Sequence, residues 1–252
     1  FIVGSEAVPE AEWAAMAPEG VSVHAARVTS GAPWARWRAD RSGVDLAEDL
    51  QRGATQFAAM RLTAVVLGHT TSSVVGGTGW DEATASALAA VLGTGVLGKG
   101  AKATTNGLDT MAALRASGVQ RPFLVLPPWF PDDTVKAAVG YYAAHGLEPA
   151  GHLRMDPGGK WRDLPPQDLY GHGMGFEQEV EPLHAQIRAA CPAAADGVLI
   201  AGTGFRCVAI LETLEHDLGR PVVSANQASL WHCLRLSGVR APVAGYGRLF
   251  SR

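Results

Sequence analysis

The stretch Gly197-Val198-Leu199-Ile200-Ala201-Gly202-Thr203-Gly204-Phe205-Arg206 decides how the rest of the chain is read. An apolar run without alternation predicts a strand buried on both faces, as in a parallel sheet. The small residues after it predict a turn into a helix over 207–218. Turns at the carboxyl ends of parallel strands are where open α/β sheets take ligands. Glycine there lets a ligand approach the backbone, and free N–H groups at a helix start can hold an anion. A second stretch has the same build: Ala64-Val65-Val66-Leu67-Gly68-His69-Thr70-Thr71-Ser72-Ser73. The two turns are expected to face each other across one site.

Strand-like and helix-like segments alternate on either side of these stretches. Strands are expected at 1–3, 21–28, 102–105, 122–126, 147–153 and 221–224. Helices are expected at 10–17, 45–60, 80–92, 108–117, 132–145, 177–190 and 226–237. Ser5 and Glu6 sit in the first strand-to-helix turn. Residues 29–42, with Trp34, Arg36 and Trp37, read as a loop that caps the domain. Residues 156–175 are irregular and rich in Pro and Gly. Such alternation predicts an α/β fold with parallel sheets.

The chain also repeats itself. Thr104-Thr105-Asn106 leads to Leu114-Arg115-Ala116-Ser117-Gly118-Val119, and Ser224-Ala225-Asn226 leads to Leu234-Arg235-Leu236-Ser237-Gly238-Val239 at the same spacing. Two pseudo-twofold-related lobes follow, each a parallel sheet flanked by helices. Lobe 1 is read as 1–106 plus 226–252 and lobe 2 as 107–225, with the site at their interface.

Length and composition bound the function. The 252 residues are 47% hydrophobic and 18% charged, so a substantial core can form. A net charge of −3 gives no electrostatic case for nucleic acid or an acidic membrane surface. No apolar run is long enough to span a bilayer. Cys191, Cys207 and Cys233 lack CxxC spacing, which argues against a disulfide scaffold or structural zinc and fits a reducing cytoplasm. No metal is expected. Gly202-Thr203-Gly204 is not a dinucleotide fingerprint, because Cys207 occupies the last glycine place. A homo-oligomer is allowed by the sequence and not specified by it.

Ala64-Val65-Val66, Thr71-Ser72, Asp132-Asp133, Gly197-Val198-Leu199-Ile200, Leu214-Glu215, Pro221-Val222-Val223-Ser224, Leu230-Trp231 and Gly245-Tyr246-Gly247-Arg248-Leu249-Phe250 span nearly the whole chain in order. With these residues the sequence resembles the aspartate/glutamate racemase superfamily, in the branch holding arylmalonate decarboxylases and maleate cis-trans isomerases. The resemblance implies two lobes and cofactor-free chemistry on a small carboxylate. It implies thiols at one or both turns, and backbone N–H groups with hydroxyls holding a carboxylate as an enediolate forms. This sequence departs from that pattern at its centre. The two cysteine positions fall on Thr70 and Gly202, a tyrosine of some relatives on Phe130, and an asparagine of the isomerases on Ala7.

The candidate residues follow. Thr71 and Ser72 are expected to bind a carboxylate, with helix capping as the alternative. Ser5, Gly202, Thr203 and Gly204 are expected to line the substrate site. Trp129 and Phe130 either wall it or fill core. Thr70 is too weak an acid to replace a thiol, so it binds substrate or water. His69, His172 and Glu6 are the candidates for moving a proton. His172 lies between glycines suited to a closing loop. The expected function is decarboxylation of a small activated acid. The alternatives are an isomerase, tautomerase or lyase on an unsaturated dicarboxylate, and a carboxylate-binding protein that has lost its chemistry.

Overall fold

The computed structural model describes residues 2–5 and 7–252. In chain order the first half holds β1 (Ile2–Val3), α1 (Val8–Met16), β2 (Ala26–Arg27), β3 (Ala35–Trp37), β4 (Val44–Leu46), α2 (Glu48–Ala58), β5 (Ala64–Leu67), α3 (Thr70–Gly76), α4 (Trp80–Leu92), β6 (Lys102–Thr105) and α5 (Asn106–Ala116). The second half holds β7 (Pro122–Leu126), α6 (Asp132–Ala144), β8 (Gly151–Arg154), α7 (Pro166–Leu169), α8 (Met174–Glu177), α9 (Val180–Ala190), β9 (Gly197–Ile200), α10 (Leu211–Leu218), β10 (Val222–Ser224) and α11 (Ala225–Leu236).

The organising strand β9 is buried at every residue, as its unalternating apolar run requires. It pairs in parallel with β7 and β10 in a sheet ordered β10-β9-β7-β8. The other stretch, β5, pairs in parallel with β1 and β6 in a sheet ordered β2-β1-β5-β6. Both sheets are wholly parallel and carry helices, so the α/β reading with two parallel sheets holds.

The repeated segments become equivalent strand-to-helix junctions. Thr105 caps α5 by accepting the Leu108 N–H at 3.3 Å. Ser224 caps α11 in a reciprocal capping box with Gln227. Gly118 and Gly238 end the repeats at φ +72° and +76°, a conformation that favours glycine. The two helices pack on each other. Although α11 follows the second sheet, it also packs on β5 and α1 of the first, and α5 touches β10. The halves are therefore laced together by the helices that leave them.

Several expectations are revised. The strand at 21–28 shrinks to Ala26–Arg27. The capping loop contains β3, paired antiparallel with β4, so the helix expected from 45 begins at Glu48. The cause is Asp49. Its carboxylate accepts from Thr29 N, Thr29 Oγ1, Ser30 N and Ser30 Oγ, and so ties the hairpin's base to α2. Burial raises its pKa, but those hydrogen bonds outweigh burial and hold it at about 2. The helix expected from 207 is a 3-10 turn over 208–210 followed by α10. Here Glu12 of α1 intervenes, accepting the Cys207 and Val208 N–H groups at 2.6 and 3.0 Å.

Candidate functional site

The turns after β5 and β9 close on one cavity of about 120 Å³. Its lining is His69, Thr70, Thr71, Trp129, Phe130, Tyr170, Gly202, Thr203 and Gly204. These residues follow β5, β7, β8 and β9, so the cavity lies at the carboxyl ends of strands from both sheets. Larger depressions of about 470 and 540 Å³ lie beside Arg61 and Lys102 and beside the β3–β4 hairpin. Neither touches these strand ends.

The first turn is built from side chains. His69 stacks on Trp34, with ring centroids 4.0 Å apart and planes 9° from parallel. Its Nδ1 lies 2.8 Å from Ser72 Oγ. Ser72 is fully buried and also accepts the Trp34 backbone N–H at 3.1 Å. Desolvation pulls the His69 pKa from 6.5 down to about 3, so the imidazole is neutral at physiological pH. Thr70 Oγ1 donates to Asn106 Oδ1 at 2.6 Å, and Asn106 in turn donates to Ala225 O and Ser229 Oγ. The Thr70 proton is thus committed, and toward a ligand this hydroxyl accepts. Thr71 is half-buried, and its hydroxyl makes no hydrogen bond among the described residues.

The second turn is built from backbone. Gly202 has φ +107°, and a Cβ there would lie 2.5 Å from Pro127 Cγ. The position therefore demands glycine, and a cysteine does not fit this backbone. Asn226 donates to Thr203 O at 2.9 Å and to Glu12 Oε2 at 2.6 Å. Glu12 is buried, and that burial raises its pKa against the pull of its three N–H donors. Among the described residues, the N–H groups of Gly202, Thr203 and Gly204 have no acceptor. The aromatic wall is Trp129, which meets Tyr170 edge-on at 4.9 Å and Phe205 at 5.6 Å.

Eight of the residues singled out in the sequence thus meet in one place: His69, Thr70, Thr71, Trp129, Phe130, Gly202, Thr203 and Gly204. Three described candidates do not line the cavity. Ser5 is exposed at the end of β1. His172 is exposed, because the loop turns Tyr170 inward two residues earlier. Ser72 is spent on His69 and Trp34. Glu6 lies outside the described residues. Tyr170 is the residue that sequence reading missed. Its signal was an aromatic at the head of the Tyr170-Gly171-His172-Gly173 segment, passed over in favour of the histidine.

Thiol chemistry has no place in the cavity. Cys207 and Cys233 are buried elsewhere, and burial first, then the Glu12 and Asp109 carboxylates respectively, push their thiols well up. Cys191 is half-buried and raised by burial. No cluster of three or more His, Cys, Asp or Glu suited to a metal occurs among the described residues, and no described helix is long and apolar enough to cross a membrane.

Comparison with known proteins bears on this arrangement. Residues 164–250 match the family model described as arylmalonate decarboxylase. Arylmalonate decarboxylase from Bordetella bronchiseptica is 29% identical over 154 residues, which are 60% of this chain and 58% of that protein. The match therefore spans less than two thirds of the curated relative. The maleate isomerase Iso of Pseudomonas putida S16 superposes with a TM-score of 0.80 at 19% identity, covering 99% of this chain and 96% of that one. Unliganded arylmalonate decarboxylase superposes with a TM-score of 0.68 at 23% identity, covering 99% and 98%. The chain is therefore similar in part of its sequence to arylmalonate decarboxylase, and its two-sheet fold matches the solved structures of arylmalonate decarboxylase and maleate isomerase.

Proposed function

We propose that this chain is a cofactor-independent enzyme that decarboxylates a small activated carboxylic acid through an enediolate. The observation that carries the reading is the meeting of both turns at one cavity, where, among the described residues, the N–H groups of Gly202, Thr203 and Gly204 and the Thr71 hydroxyl stand unengaged. When the carbon–carbon bond breaks, carbon dioxide leaves and the electron pair spreads onto the retained carboxylate. Donors already aimed at those oxygens stabilise the charge as it grows. Thr71 and the N–H groups of Thr203 and Gly204 are assigned this part. Trp129 and Phe130 wall the side from which carbon dioxide departs, where an apolar surface raises the energy of a carboxylate more than that of a neutral product.

The carbon then needs a proton. His69 is not its source as an imidazolium, since the ring is neutral. Thr70 is not its source, since its proton is held by Asn106. We assign the step to Tyr170, whose phenol belongs to a more acidic class than an alcohol. A panel of substituted malonates, assayed for carbon dioxide release with purified protein, tests the reaction. Release from at least one member is expected, and none from any would overturn it. Proton NMR with maleate-like acids in deuterated water reports the isomerase alternative. Ligand-induced stabilisation without turnover reports a binding protein.

A further inference from the structure

We infer that Ser72 is a positioning residue that locks His69 as its Nε2–H tautomer, so that a neutral imidazole donates to substrate oxygen in the cavity. The argument starts from the Ser72 hydroxyl, which has one proton and two lone pairs. One lone pair takes the Trp34 N–H at 3.1 Å. Ser72 is 0% exposed, so no solvent receives its proton. Its only other partner among the described residues is His69 Nδ1 at 2.8 Å. The hydroxyl therefore donates to Nδ1, which must be bare. In a neutral imidazole the remaining proton is then on Nε2.

Trp34 fixes the plane as well as the tautomer. Its indole lies 4.0 Å from the imidazole and within 9° of parallel, so the ring cannot rotate without losing the stack. Trp34 is itself anchored, with Nε1 donating to Ser30 O at 2.9 Å and Ser30 held by Asp49. Among the described residues Nε2 has no hydrogen-bond partner, it is not sealed in the core, and His69 lines the cavity. One N–H donor is thus left to face an incoming oxygen. Desolvation keeps the ring from gaining a second proton, which would put an N–H against the Ser72 proton. The role in turnover rests on the decarboxylase reading, whereas the tautomer does not.

Nitrogen-15 NMR of the imidazole at pH 7 tests the tautomer without any assay. Wild type should show a protonated Nε2 and a bare Nδ1. Ser72→Ala should shift both nitrogens toward a tautomer mixture. A protonated Nδ1 in wild type, or unmoved shifts in folded Ser72→Ala, overturns the proposal. Kinetics on a turned-over acid test the donor role. His69→Leu should lower kcat about 100-fold, the loss seen on removing one such donor. His69→Gln keeps a neutral N–H donor and should recover most of that loss. Recovery supports a donor, and equal loss in both variants overturns it in favour of proton transfer. If the tautomer stands and no acid is turned over, the decarboxylase reading fails and the positioning of His69 does not.

Discussion

The two turns that meet at the cavity share a scaffold and differ in what they offer. Each is braced by an asparagine from the repeat. Asn106 accepts from Thr70 in the first turn, and Asn226 donates to the Thr203 carbonyl in the second. Between those braces the first turn presents an imidazole and hydroxyls, whereas the second presents the backbone of Gly202-Thr203-Gly204. The repeat thus preserved the supports and let the working surface diverge. On the proposed reading, a ligand held between them would meet directed side chains on one face and a row of N–H groups on the other. None of the described lining residues is an Asp, Glu, Lys or Arg.

Acid should separate the groups that brace the two turns most strongly. His69 has a folded pKa of about 3 against 6.5 unfolded. Its contribution is complete above pH 6.5 and is lost as the pH falls toward 3, with an upper bound of about 5 kcal/mol. Asp49, at about 2 against 3.8, adds a loss of about 2 kcal/mol below pH 3.8 in the same hairpin-covered half. Glu12, under the second turn, has the opposite sign. Its raised pKa means that acid relieves the cost of a buried carboxylate. Urea unfolding between pH 7 and 3.5 should show stability falling in wild type, falling less in His69→Gln, and falling more steeply in Glu12→Gln. Parallel curves for all three would break the contrast.

The next effect comes from putting a thiol on the bare turn. Gly202→Cys forces a side chain into φ +107° and against Pro127 at 2.5 Å. Strain and overpacking together should cost about 3–4 kcal/mol in denaturant unfolding. A cost under about 1 kcal/mol would mean that the turn relaxes easily and is less fixed than its geometry suggests. The braces come third. Asn226→Ala removes a donor from the buried Glu12 carboxylate and should cost about 2–3 kcal/mol, whereas Asn106→Ala breaks neutral bonds for about 1–2 kcal/mol. Equal losses would mean that the halves are braced alike.

Much of this was legible in the chain because it rests on local pattern. Apolar runs without alternation marked β5 and β9, and the spaced Asn-to-Gly repeats marked α5 and α11. Strand-end turns then pointed to the cavity residues, since parallel topology leaves them little choice of place. What failed depended on distant partners. The β3–β4 hairpin was invisible because Asp49 reaches back to Thr29 and Ser30 across 20 and 19 positions. Ser72 read as a ligand group because nothing nearby in sequence announces Trp34. The early 3-10 turn after Cys207 depends on Glu12, 195 positions away.

The smallest effect is expected in the loop after β8, where the inward and outward residues stand two apart. Tyr170 lines the cavity and packs edge-on against Trp129. His172 is exposed, and its backbone N–H is held by Asp168 O at 3.0 Å, independently of its side chain. Surface substitutions away from buried partners change stability by about 0.5 kcal/mol or less. His172→Ala should therefore leave both the unfolding midpoint and turnover within error of wild type. Tyr170→Phe, which keeps the ring and removes only the hydroxyl, should slow turnover while preserving the fold. If His172→Ala proves the more damaging, the loop closes over the cavity in a different register. The histidine, not the phenol, would then supply the proton.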